Sequence, residues 1–264
     1  MGQGDRGRCP AASAGRGARD GSKSAGRDRR CWVRGAQRRQ GAPEADAEVT
    51  VVDQNNYHTF APLNHQVAAA GLDVAEVTRQ VRAISRRQDN LRFRKGRAVA
   101  IDLQDRVVSL DRGGRLPFDY LLLAGGSTTS DFGVPGVHQH AFFLKTLTEA
   151  VNLRSRVLEP FERATRDPAA LLDGSLTFVI AGGGPTGVEL AGAMAELCSK
   201  VLVRDVPTIQ REAVRVVHSE VRDHLLDGFH SRSRVYARRL LERCGVEVRL
   251  GTAVEAVHGD RVAL

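Results

Sequence analysis

The stretch SLTFVIAGGGPTGVELAGAMAEL, residues 175–197, runs from a short apolar strand through Gly182, Gly184 and Gly187 into a helix. This order of strand, glycine turn and helix is the signature of a dinucleotide site. Gly182 lets the chain turn sharply off the strand. Gly184 removes a side chain where a pyrophosphate must touch backbone, and Gly187 lets helix and strand pack closely. Pro185 suits the first helical position, where its missing N–H would be unpaired in any case. The free N–H groups of that helix start, with its positive dipole end, then face the phosphates. A glycine-rich turn without a ligand is the competing reading of the same residues.

Working outward, residues 214–219 read as a second strand, and Glu220 stands at its end, where this fold places an acid against the adenosine ribose hydroxyls. That favours NAD over NADP, with Arg222 able to soften the preference. The separation from Gly187 exceeds the roughly 20 residues usual for the motif. An insertion at residues 199–212 accounts for the excess.

Charge is concentrated at one end. Residues 1–40 hold ten Arg, one Lys and three Asp, so the local balance equals the whole net charge of +8. The remainder carries 28 basic and 28 acidic residues, so the high isoelectric point gives no reason to assign nucleic acid as a partner of the folded part. The head is rich in Gly, Arg, Ala and Ser and poor in large apolar side chains, and is expected to form no core. It contains no apolar run of the roughly 7–15 residues that a secretory signal needs, and lacks the apolar face of a mitochondrial transit peptide. A basic nucleic-acid arm would carry aromatic interleaving; an out-of-frame or misplaced start of a GC-rich gene carries more weight. No stretch approaches the roughly 18 apolar residues of a membrane span.

Further along, residues 47–52 read as a strand ending at Asp53, 74–87 as a helix, and 91–94, 97–103 and 106–110 as strands. Residues 118–124 look like a fully buried parallel strand running into Gly125 and Gly126. A long helix covers 145–166; a final helix, 233–244, precedes strands at 246–250 and 253–257. The chain stops just inside another strand, which suggests that a C-terminal part is missing. Cys9, Cys31, Cys198 and Cys244 are too scattered for a redox pair or a metal knot, so no metal site is expected. Cys198 and Cys244 are expected to be buried packing residues.

Together these segments resemble the type II NADH dehydrogenases, flavoproteins that pass electrons from NADH to a membrane quinone. The resemblance is carried by VTVVDQNNYHTFAPL (49–63), QVAAAGL (66–72), FDYLLLAGGSTTSDFGVPGV (118–137), AFFLKTLTEAVNLRSRVLEPFERA (141–164), the GGGPTGVELAG block (182–192) and GVEVRLGTAVEAV (245–257). It implies an α/β fold with two Rossmann-like dinucleotide-binding domains, an FAD domain split in sequence by an inserted NAD domain. The expected division is a basic head at 1–46, a partial FAD-binding domain at 47–144 and a truncated NAD-binding domain at 145–264.

By the same resemblance, Asp53 would hold the FAD adenosine ribose, and Ala124, Gly125 and Gly126 would match the family's second flavin-contact strand, with Gly125 replacing the usual Thr. Gly182, Gly183, Gly184, Pro185, Thr186, Gly187 and Glu220 would bind NAD. Glu189 matches a family acid near the meeting of nicotinamide and flavin; its other reading is an acid at a helix N-terminus. The implied cofactors are FAD and NAD, and the implied partners are NADH and a quinone, with peripheral contact at the inner face of a cell membrane from the cytoplasm and a homodimer among the assemblies open to it.

Two departures stand out: residues 1–40 contain no strand followed by the family's first GxGxxG, and the C-terminal return segment is absent. The chain as written is therefore expected to be a defective form of the enzyme. The alternatives are a related FAD/NAD(P)-dependent reductase with another acceptor and a non-catalytic NAD-binding fragment. The absence of a Cys-x4-Cys pair argues against the disulfide reductases of this architecture.

Overall fold

The computed structural model describes residues 30–32, 47–86, 88–167, 174–206 and 209–264, the first of these as backbone alone. β1 (Arg30–Trp32) pairs in parallel with β2 (Glu48–Asp53), Arg30 opposite Glu48. Part of the head, expected to form no core, thus supplies a short strand between two parallel neighbours, with Cys31 and Trp32 paired on both sides. β3 (Tyr57–Thr59) leads to α1 (Asn64–Ala68) and α2 (Val74–Val77). β4 (Thr78–Gln80) then pairs antiparallel with β3 before α3 (Val81–Ser85).

The single helix read over 74–87 is thus broken in two. Thr78 is extended (φ −120°, ψ 152°), and the backbone of residues 78–80 finds its partners in β3 rather than in a helical ladder. Both flanking valines, Val77 and Val81, still reach the interior, so helical spacing alone could not distinguish the two arrangements.

β5 (Leu91–Lys95) lies parallel to β2, while β6 (Ala98–Asp102), β7 (Val107–Leu110) and β8 (Arg115–Pro117) form a separate antiparallel ladder. β9 (Tyr120–Leu121) returns parallel to β1, giving the sheet order β5-β2-β1-β9. The apolar run at 118–124 is parallel as read, but not buried throughout. Only two of its residues join the ladder, and at this outer position Leu123 is 68% exposed.

After α4 (Val137–His140), α5 (Leu147–Arg166) starts from a reciprocal cap: the Thr146 side chain accepts from the Glu149 N–H, and Glu149 accepts from the Thr146 N–H at 2.7 Å. β10 (Thr177–Ala181) leads into α6 (Pro185–Glu196), which continues through π-helical turns at Leu197–Leu202 into α7 (Val203–Asp205). These turns occupy the first part of the insertion between Gly187 and Glu220. β11 (Arg215–Glu220), α8 (Ser231–Arg243) and β12 (Val246–Leu250) follow, then the short antiparallel pair β13 (Ala256–Val257) and β14 (Val262–Ala263).

β10, β11 and β12 are parallel and adjacent in that order, with α6 and α8 as crossovers. The first sheet repeats this arrangement in β1, β2 and β5. The fold is therefore α/β with two Rossmann-like sheets, as read from the sequence.

The larger core joins α5 to the second sheet. Phe161, Leu176, Ile209 and Leu225 are almost fully enclosed there, and the Phe161 and Phe178 rings stack with centroids 6.2 Å apart. Each such side chain contributes about 1.5–3 kcal/mol by leaving water. A second cluster packs Val67 and Ala68 of α1 against Leu147, Ala150 and Leu190, so α1 is clamped between the first sheet's connections and helices α5 and α6. Cys198 is buried in the larger core as expected, whereas Cys244 is exposed. The latter corrects the reading from helical spacing: α8 ends at Arg243, and Cys244 caps it just before Gly245 turns away with φ +88°.

Candidate dinucleotide site

Gly182 leaves β10 with φ +101°, a conformation that L side chains rarely adopt, and its N–H donates to the Ser219 carbonyl at 2.9 Å. A Cβ on Gly187 would lie 2.0 Å from the Gly182 carbonyl oxygen, so the first turn of α6 rests directly on the turn below it. Gly184 is the N-cap of α6 and Pro185 its first residue. A Cβ at Gly184 would meet nothing within 4 Å. The helix start, with Thr186 exposed beside it, thus opens onto free space with its first N–H groups unpaired within the helix.

Glu220 closes the other side of the turn. Its carboxylate accepts the Gly183 N–H through one oxygen and the Arg222 N–H, at 2.8 Å, through the other. Any side chain at Gly183 would collide with it, the Cβ falling 2.8 Å from Oε2. Beyond Glu220 the chain folds back so that Leu226 N–H donates to the Gly183 carbonyl at 2.7 Å. In this loop Arg222 Nη1 sits 2.8 Å from Asp227 Oδ2, and His224 lies between Asp223 and Asp227. The hydrogen bonds from His224 hold both aspartates below the usual carboxylate range.

His218, fully buried in the middle of β11, places its Nε2 2.9 Å from the Gly182 carbonyl. Among the described residues its Nδ1 has no hydrogen-bond partner, and burial pushes its pKa down. The ring is therefore neutral, with its proton on Nε2. Motif reading missed this residue. Its only signal is a histidine inside an otherwise β-branched central strand.

Glu189, one turn into α6, is half exposed and places Oε2 3.3 Å from Nδ1 of His65 in α1. In the first sheet, Asp53 ends β2 and accepts the Asn55 N–H at 3.0 Å. Ala124, Gly125 and Gly126 follow β9, Gly126 with φ +75°. These residues lie beyond the carboxyl ends of two parallel strands of one sheet, where ligands of open α/β sheets bind. The segment that follows β1, residues 33–46, lies outside the described residues.

A family model described as pyridine nucleotide-disulphide oxidoreductase matches residues 35–264. The chain belongs to this family. Among curated proteins it is 36% identical over 217 residues to the type II NADH:quinone oxidoreductase NdhA of Mycobacterium tuberculosis, covering 81% of this chain and 46% of that one. It is 31% identical over 223 residues to a mitochondrial external alternative NAD(P)H-ubiquinone oxidoreductase B1 of Solanum tuberosum, covering 80% of this chain and 38% of the relative. The chain thus spans less than half the length of these relatives. Among solved structures, NDH2 from Plasmodium falciparum superposes with a TM-score of 0.80 at 21% identity, over 88% of this chain and 49% of that chain. The sulfide:quinone oxidoreductase of Aquifex aeolicus superposes with a TM-score of 0.68 at 18% identity, over 89% and 53%. At these identities the likeness establishes the fold. Among the described residues, no helix is long and apolar enough to cross a membrane.

Proposed function

We propose that this chain is the nucleotide-binding part of a type II NADH:quinone oxidoreductase. The observation that carries this reading is the glycine turn at 182–187, shaped so that a Cβ is barred at Gly183 and Gly187 yet space is left open at Gly182 and Gly184. A dinucleotide pyrophosphate fits that space, because backbone N–H groups line it and no side chain crowds it. NAD bound there would donate or accept a hydride at its nicotinamide ring. The division proposed is an FAD-binding part at 47–144 and an NAD-binding part at 145–264.

The chain's own residues have separable tasks. The amides at the start of α6 would hold the phosphates, while Glu220 would accept from the ribose hydroxyls and already braces Gly183. Glu189 would stand where the nicotinamide ends, its carboxylate orienting the ring. In the complete reaction, NADH and one proton from solvent would reduce a quinone to a quinol, leaving NAD⁺. Contact with a membrane surface and pairing of two copies belong to the same proposal.

FAD fits less completely. Asp53 would take its ribose and the backbone at Ala124, Gly125 and Gly126 its flavin side, but after β1 the glycines stand at 35 and 41 rather than in GxGxxG spacing. The test is titration of the purified chain with NADH, followed by a quinone-analogue assay with added FAD. Saturable NADH binding that Gly184→Val abolishes supports the reading, and absence of NADH binding defeats it.

A further inference from the structure

We propose that His65 is the positioning residue of Glu189, holding the acid of the second lobe's helix from the first lobe. This deepens the NADH-site reading and rests on it for its consequence, though not for the contact itself. His65 is 8% exposed and sits in α1, which is pinned by the burial of Val67 and Ala68 against Leu147, Ala150 and Leu190. Its ring is fixed at three points. Nδ1 lies 2.9 Å from the Pro62 carbonyl oxygen and 3.3 Å from Glu189 Oε2, and Nε2 lies 3.1 Å from the Gln66 side-chain nitrogen.

The partners determine the tautomer. A backbone carbonyl can only accept, so the proton sits on Nδ1, and the Gln66 amide then donates to the Nε2 lone pair. The Nδ1–H is directed at the Pro62 carbonyl, and the Glu189 carboxylate lies against the same edge of the ring at 3.3 Å. Glu189 is otherwise half exposed on α6, with no other ion-pair partner among the described residues. A long, half-exposed carboxylate samples several rotamers unless something restrains it, and a buried, anchored imidazole provides that restraint at little entropic cost. The contact links residues 124 positions apart, from opposite lobes, at the point where the nicotinamide would end.

The test uses substitutions that separate the two ring nitrogens. His65→Asn carries an amide nitrogen close to the Nδ1 position, whereas His65→Gln carries it near Nε2. NADH affinity is measured by nucleotide fluorescence in the full chain, alone and with Glu189→Ala. His65→Ala and His65→Gln are expected to weaken NADH binding ~3- to 10-fold, the range of one ordinary net polar contact, and His65→Asn to restore it. In the Glu189→Ala background none should have a further effect. Equal weakening in both backgrounds, or failure of Asn to restore binding, overturns the proposal.

A urea-unfolding cycle of His65→Asn, His65→Gln and Glu189→Ala without nucleotide reads the tie independently. Coupling present for Gln and absent for Asn supports it, and additivity throughout overturns it. If the unsubstituted chain binds no NADH, the proposed function fails, and this cycle alone decides the role of His65.

Discussion

His218 and Gly182, 36 residues apart, are joined by a hydrogen bond of 2.9 Å from the imidazole Nε2 to the glycine carbonyl. That carbonyl is also the atom a side chain at Gly187 would strike. One buried ring therefore sets the floor on which the helix start stands. The turn is held from below by His218, from the side by Glu220 and from above by the close approach of α6.

The glycines of the turn should respond differently to the same substitution. Gly187→Ala is expected to destabilise the chain by about 3 kcal/mol and abolish NADH binding, because backbone must move to admit the methyl group. Gly184→Ala meets no atom within 4 Å and should change stability by less than about 1 kcal/mol, while still obstructing the pyrophosphate. Urea midpoints and NADH titrations on both variants separate the effects. Loss of stability in Gly184→Ala would contradict the open space described.

Stability should fall on mild acidification. Burial lowers the pKa of His218 in the folded chain from its ordinary 6.5, so below that pH the unfolded chain takes up a proton that the folded chain refuses. The contribution is fully present above pH 6.5 and is lost as pH falls from there towards the depressed folded value. Urea midpoints between pH 7.5 and 5.5 should drop in the unsubstituted protein, with a shallower slope in His218→Gln. An unchanged slope would remove His218 from the account.

Coenzyme preference should depend on Asp227. Arg222 could favour a 2′-phosphate, but its guanidinium lies 2.8 Å from Asp227, and both side chains are about half exposed. The expected preference is for NADH, with Asp227→Ala improving NADPH binding by about 3- to 10-fold, a modest effect because solvent screens the pair. Parallel titrations with the two nucleotides decide it. No gain in Asp227→Ala would mean that Arg222 does not reach the ribose.

Cys198 and Cys244 should differ sharply in reactivity. Burial pushes the Cys198 thiol up to about 12, so it carries almost no thiolate at neutral pH, whereas Cys244 is exposed. A thiol reagent followed by peptide mapping should label Cys244 within minutes and leave Cys198 untouched until the chain is unfolded. Labelling of Cys198 in the folded protein would contradict the packing of the π-helical turns at Leu197–Leu202 against the core.

Local chemistry made part of the site legible in the sequence. The glycine turn is a backbone requirement written in consecutive residues, Pro185 suits only a helix start, and Glu220 follows a β-branched strand. Each can be read without knowing what lies across the fold. The parallel character of residues 118–124 was equally legible, since apolar runs of that kind belong to parallel sheets.

Tertiary structure decided what depends on partners distant in the chain. Helical spacing fits both one helix at 74–87 and the broken form, and only the availability of β3 to pair with residues 78–80 selects the second. Leu123 is exposed because β9 lies at the outer edge of its sheet, and Cys244 because the chain turns at Gly245. The pairing of His218 with Gly182 and of His65 with Glu189 joins residues from separate elements. Contacts of that kind arise only when packing of apolar surface has fixed the elements that carry them, and no local pattern encodes the distance.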